Sequence, residues 1–212
     1  QAPPVLLAQF DVNAGTVQSL SLPATLEDSF EVPVVIGGVP YTMALFNYDV
    51  RAPGFQLFER TAAGLVLLPT PDCVTLRGVL LELPNSRVAA TFVDGTLEGM
   101  VYMPPTGPGL LGETWVVQPA RRGDPSAQPS VHIVFRAKDT IPLPYQCGAD
   151  TTGAPSWVPT GSPDFTAVCE IAIEADRQFW QWNNSSVTQT QNDITTVMNQ
   201  VDFIYDRDCD VN

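Results

Sequence analysis

Short apolar runs cut by turn residues fill the chain from Val5 to about Phe135, the pattern of a β-rich domain. Residues 31–36, 41–46, 64–68, 79–83, 87–93, 96–102, 115–117 and 131–135 are each of strand length, and Gly37-Gly38, Asp94-Gly95 and Gly107-Pro108-Gly109 punctuate them. Asp94-Gly95 stands between two alternating runs and predicts a hairpin. The chain carries no fixed-period repeat.

The pattern then changes twice. From about residue 140 to 166 periodicity is lost, and Pro142, Pro144, Pro155, Pro159 and Pro163 with Gly148, Gly153 and Gly161 mark a connector. Beyond it residues 167–175 read as a strand, and residues 176–184 as a polar and aromatic transition. Ile194, Val197, Met198, Val201, Ile204 and Tyr205 recur at i, i+3, i+4, i+7, i+10 and i+11, which places them on one face of a helix. Ser185 or Ser186 is its expected cap, and Asp206-Arg207-Asp208 its end. Residues 209–212 would open a second strand, giving a βαβ unit interrupted at its last element. The expected fold is a mainly β domain, sandwich-like or barrel-like, over residues 1–140, a connector over 141–166, and a truncated α/β segment over 167–212.

Composition narrows the function classes. The chain has 212 residues, 44% of them hydrophobic, enough for a sizeable core. With 23 acidic against 10 basic residues its formal charge is −13, which repels phosphate backbones and anionic lipid, so neither nucleic acid nor a membrane is an expected partner. No stretch approaches the ~20 apolar residues of a membrane span. Twenty prolines and four cysteines fit an extracellular or periplasmic protein, and Gln1-Ala2-Pro3-Pro4 fits a mature end left after signal removal.

The candidate chemistry centres on Pro144-Tyr145-Gln146-Cys147-Gly148. A deprotonated thiol is a soft metal ligand, and a following glycine lets backbone approach a metal centre without a Cβ clash. This segment resembles the cysteine switch of metzincin zinc-peptidase precursors. On one side of it, residues 72–78, 86–90, 95–99, 115–119 and 132–135 resemble the propeptide of reprolysin-type (adamalysin, ADAM-like) metallopeptidases. On the other, residues 169–176 and then 201–207 resemble the opening strand and first long helix of their catalytic domain.

The resemblance implies the N-terminal pro-region of a secreted zinc metalloendopeptidase zymogen. Its partners would be its own catalytic domain in cis and an activating protease. Cys147 would be an inhibitory ligand of the catalytic zinc, with cleavage falling between about Ala149 and Ala167. The chain departs from the family in carrying Tyr145-Gln146 where a basic residue is common, and in having no basic processing site in the connector. His-Glu-x-x-His-x-x-Gly-x-x-His is absent and His132 is the only histidine, so the other zinc ligands would lie beyond Asn212 and this stretch alone has no catalytic residue. Glu170 matches a position that binds calcium in some members, against a plain solvent-facing carboxylate.

Several readings stay open beside these. From the residues alone, without the flanking resemblance, Cys147 is expected to pair with Cys73 in an oxidising compartment. Cys169 and Cys209, at the starts of two adjacent parallel strands, are expected to form a disulfide that stabilises by about 4 kcal/mol, against two buried thiols. His132 inside a strand-like run is expected to be a satisfied core histidine. Phe179, Trp180 and Trp182 cover a strand-to-helix connection or form a binding patch, and Asn183-Asn184-Ser185-Ser186 holds overlapping glycosylation sequons. The rival function is a secreted β-sandwich binding or adhesion module with a structural disulfide at Cys147. A free-standing inhibitor acting in trans is a third.

Overall fold

The computed structural model describes residues 1–107, 111–142 and 171–209. Ten strands lie in the first two of these stretches: β1 (Thr16–Ser19), β2 (Ser29–Ile36), β3 (Val39–Asn47), β4 (Leu57–Thr61), β5 (Gly64–Leu68), β6 (Thr75–Leu80), β7 (Leu83–Val93), β8 (Thr96–Met103), β9 (Glu113–Pro119) and β10 (Val131–Arg136). Three α-helices accompany them among the described residues: α1 (Pro4–Gln9), α2 (Arg177–Trp182) and α3 (Val187–Cys209). The protein is therefore mainly β with a long C-terminal helix, as the pattern of short apolar runs implies.

Eight strands form one antiparallel sheet in the order β1-β10-β9-β8-β7-β6-β3-β2, and β4 pairs with β5 in a separate hairpin. The sheet curls because alternate residues of every strand must share one interior. Val32, Val34 and Ile36 of β2, Leu76 and Leu80 of β6, Val88 and Ala90 of β7, Val101 of β8, Val117 of β9 and Val134 of β10 all belong to one buried cluster. Residues from both ends of the sheet thus meet in one core, and the architecture is barrel-like.

The outer face is covered in two places. Leu6, Leu7 and Phe10, on and just past α1, pack with Val116 of β9 on buried Ile133 and Phe135 of β10. Further round, α3 lies across β6, β7 and β8.

Asp94 and Gly95 have φ of 51° and 70° and form the β7–β8 hairpin, with Val93 opposite Thr96. Residues 79–83, read as a single strand, instead straddle the β6–β7 hairpin: Leu80 pairs with Leu83, and Leu81-Glu82 is the turn. An apolar run hid this turn, which is held by polar contacts from elsewhere. The Glu82 carboxylate accepts the Thr42 N–H at 2.8 Å and the Thr42 hydroxyl at 3.0 Å, while the Leu80 N–H donates to Ser86 Oγ at 2.7 Å beside a register shift.

Two further differences concern the C-terminal segment. Residues 171–175, the described part of the expected strand 167–175, carry no strand, because among the described residues no neighbour supplies the ladder of hydrogen bonds a strand needs. Cys209, expected to open a second strand, is the last residue of α3. Ser186 is the cap of α3, its hydroxyl accepting the Gln189 N–H at 3.3 Å. The transition 176–184 holds α2, capped by Asp176, whose carboxylate accepts the Phe179 N–H at 2.7 Å.

Candidate functional site

The feature that sets this chain apart from a plain β-barrel is the seam between α3 and the outer face of β6–β8. Successive helical residues turn by about 100°, so one face collects Gln191, Thr195, Asn199, Asp202 and Asp206. Gln191, Thr195 and Asn199 are buried, Asn199 completely. The Asn199 amide donates to the Ala90 carbonyl of β7 at 2.8 Å, and its carbonyl accepts from Arg77 of β6. Arg77 also donates to Asp202 and lies over the Tyr48 ring, 4.4 Å from its centroid. Tyr48 completes the cluster by donating its hydroxyl to Asp202 at 3.4 Å.

Charge dominates this seam. Asp202 and Arg77 side chains are each only 15% exposed. Burial lowers the Arg77 pKa from its ordinary value, opposed by the charge of Asp202, and the guanidinium stays a cation. Burial likewise raises the Tyr48 hydroxyl, with the Asp202 charge adding to it. Further along α3, Arg87 of β7 meets Asp206 at 2.5 Å, and Arg207 donates to Thr114 of β9 at 3.0 Å while lying over the Tyr102 ring. Toward the other end, Arg122 binds Glu98 of β8 at 2.6 Å and approaches Asp193 of α3 at 3.6 Å. Burial raises the Glu98 pKa, opposed by Arg122 and reinforced by repulsion from Asp193.

The apolar stripe that predicts α3 is on the other side. Val201 is about 200° round the helix from Asn199. None of Ile194, Val197, Met198, Val201, Ile204 and Tyr205 is buried, and Val197 and Tyr205 are each 52% exposed. Neither hydrophobic cluster of the barrel contains a residue of α3. An amphipathic helix ordinarily turns its apolar stripe to the core; α3 lays its polar stripe on the barrel instead, with buried Phe203 its one large apolar contribution there. Sequence reading found the stripe and missed the seam, although Asp202 and Asp206, four apart and opposite the stripe, are the signal that would have shown it.

Of the candidate residues, Cys147, Gly148, Cys169 and Glu170 lie outside the described residues, as does the pairing of Cys169 with Cys209. Cys73 is half-buried, its Sγ 3.6 Å from the Thr75 carbonyl, and has no disulfide partner among the described residues. His132 is a fully buried, satisfied histidine: Nδ1–H faces the Ser130 carbonyl at 2.8 Å, and Nε2 accepts the Leu97 N–H at 3.2 Å. Burial lowers its pKa, so the ring is neutral. Phe179 and Trp180 are half-buried on α2, whereas Trp182 is 87% exposed.

Zinc does not fit the described residues. No three His, Cys, Asp or Glu side chains among them group to hold a metal ion, and both nitrogens of His132 are committed to backbone. No helix among the described residues is long and apolar enough to cross a membrane. Compared with protein-family models and with curated proteins, the chain matches none.

Proposed function

We propose that this chain is the pro-region of a secreted zinc metalloendopeptidase precursor joined to the opening elements of its catalytic domain. In this reading the barrel assists folding of that domain and holds it latent, with Cys147 as an inhibitory zinc ligand and Gly148 giving it room. The other zinc ligands lie outside the chain, and bound zinc supplies the Lewis acid of peptide hydrolysis. Glu170 is the candidate calcium position in the same reading, with its other ligands outside the chain, beside the alternative of a plain solvent-facing carboxylate.

The observation that carries the reading is the orientation of α3. Its apolar stripe faces away from a barrel whose own core is complete without it. A helix turned this way belongs to a core supplied from elsewhere, and its polar contact with the barrel has the character of an interface between domains of one chain. Residues 201–207 of α3 are also those that resemble part of the first long helix of the catalytic domain, so packing and resemblance support the same division.

A peptide spanning residues 142–150 tests this directly against the peptidase that the precursor yields. It should inhibit, and its Cys147→Ala version should not. Equal failure of both peptides would overturn the switch.

A second reading, a secreted binding module with Cys147 in a structural disulfide, is favoured by the complete burial of Asn199 and near-complete burial of Phe203, as in a helix integral to its domain. Thiol counting by intact mass separates the two. The binding module predicts no free Cys147 thiol, and the pro-region predicts one.

A further inference from the structure

Only 10 of the 212 residues are Lys or Arg, yet three of these arginines lie along one helix. Arg122, Arg77 and Arg87 meet Asp193, Asp202 and Asp206 in turn, over about 20 Å of helix axis. We propose that this arginine row is an electrostatic latch: it holds α3 reversibly and releases it as a unit when ionic strength rises, while the barrel stays folded.

The chemistry of the seam separates release of α3 from unfolding. The contact face is made of Gln191, Thr195, Asn199, Asp202 and Asp206, groups that water satisfies as soon as the helix lifts. Gln191 Oε1 is buried with no hydrogen-bond partner among the described residues, and water can reach it once the helix lifts. Phe203 is the main apolar loss. The barrel core draws no residue from α3, and α1 covers a different part of the sheet, so neither cluster opens when the helix leaves.

The pairs also differ in their response to salt. Arg87 and Asp206 are 49% and 38% exposed, Arg122 and Asp193 49% and 32%, so both ends of the row lie where mobile ions screen them. Arg77–Asp202 is shielded and acts as the central hold, with Tyr48 and Asn199 fixing its geometry. Screening the ends therefore lowers the cost of lifting the helix as a unit, which then has to break Arg77–Asp202, Asn199–Ala90 and Arg207–Thr114 and expose Phe203. The latch does not depend on zinc or on Cys147.

Hydrogen exchange read by mass spectrometry on the whole 212-residue chain tests it. Between low salt and about 0.5 M NaCl, where screening reaches within a few ångströms, exchange in α3 should accelerate at least tenfold while β7 and β8 hold their protection. Arg87→Asp should cause the same acceleration at low salt, and Arg87→Asp with Asp206→Arg should restore slow exchange. Should Arg87→Asp fold poorly, Arg87→Gln gives the same direction with smaller size. Loss of protection in α3 and β7 together, or exchange in α3 indifferent to salt and to the charge swap, would overturn the latch.

Discussion

Gln18 closes the barrel on Val35. Its side-chain amide donates to the Val35 carbonyl and accepts the Val35 N–H, both at 2.8 Å, so one side chain of β1 stands in for the strand that would otherwise pair with β2. β1 and β2 are the two ends of the eight-stranded sheet. Gln18→Ala should therefore lower stability by about 1–2 kcal/mol, the size of two partly solvated hydrogen bonds. Gln18→Glu keeps the acceptor, loses the donor and should also destabilise. Urea titration of the three proteins checks the order.

Gly99 of β8 sits against Ala89 and Ala90 of β7. A Cβ there would lie 2.5 Å from the Ala89 carbonyl and 2.8 Å from the Ala90 Cβ, and backbone cannot give way as a side-chain tip can. Gly99→Ala should cost about 2–4 kcal/mol as an overpacking change. Gly95→Ala meets open space and strains only the turn, where φ is +70°, so it should cost about 1 kcal/mol. Thermal melts of the pair distinguish crowding from backbone strain.

His132 gives stability a pH dependence whose sign is fixed by its burial. Its folded pKa is depressed, so its contribution is complete above the unfolded value of about 6.5 and is lost as pH falls through the folded value. His132→Gln should cost about 1–3 kcal/mol at pH 7.5, where the Leu97 N–H and Ser130 carbonyl lose their partner. The gap between wild type and variant should narrow as pH drops below about 6.5. A gap that stays constant with pH would show that the ring is not held neutral.

Val197 and Tyr205 mark the uncovered side of α3. Val197→Lys and Tyr205→Lys should each change the stability of the 212-residue chain by less than about 0.5 kcal/mol, as surface substitutions do. In a polypeptide that continues into a peptidase domain the same changes place a charge in its core, and soluble yield should fall sharply. Equal tolerance in both contexts would remove the argument drawn from the orientation of this helix.

Much of the barrel is legible along the chain because strand residues alternate between core and solvent and the turns carry recognisable residues. The Asp94-Gly95 hairpin and the Ser186 cap are of this local kind, and the strand-like run around His132 marks it as a core residue, although its partner Leu97 is 35 positions away. The Leu81-Glu82 turn is not, because its apolar residue continues the run and the contact that holds it comes from Thr42, 40 positions away from Glu82. The closure by Gln18 is hidden for the same reason. Periodicity puts Ile194, Val197, Met198 and Val201 on one face of α3, but it does not say which face a neighbour meets. The seam depends on Arg77 with Asp202, 125 positions apart, and on Arg87 with Asp206, 119 apart, separations at which no sequence pattern pairs charges.

The proposed role turns on one thiol. Cys147→Ala, introduced into the complete precursor purified at neutral pH, tests it most directly by peptidase activity before any processing. Latency through Cys147 predicts that the wild-type precursor is inactive and that the variant cleaves a general peptide substrate without proteolytic activation. A variant precursor that folds, exposes the same cleavage sites and remains as inactive as wild type would contradict it.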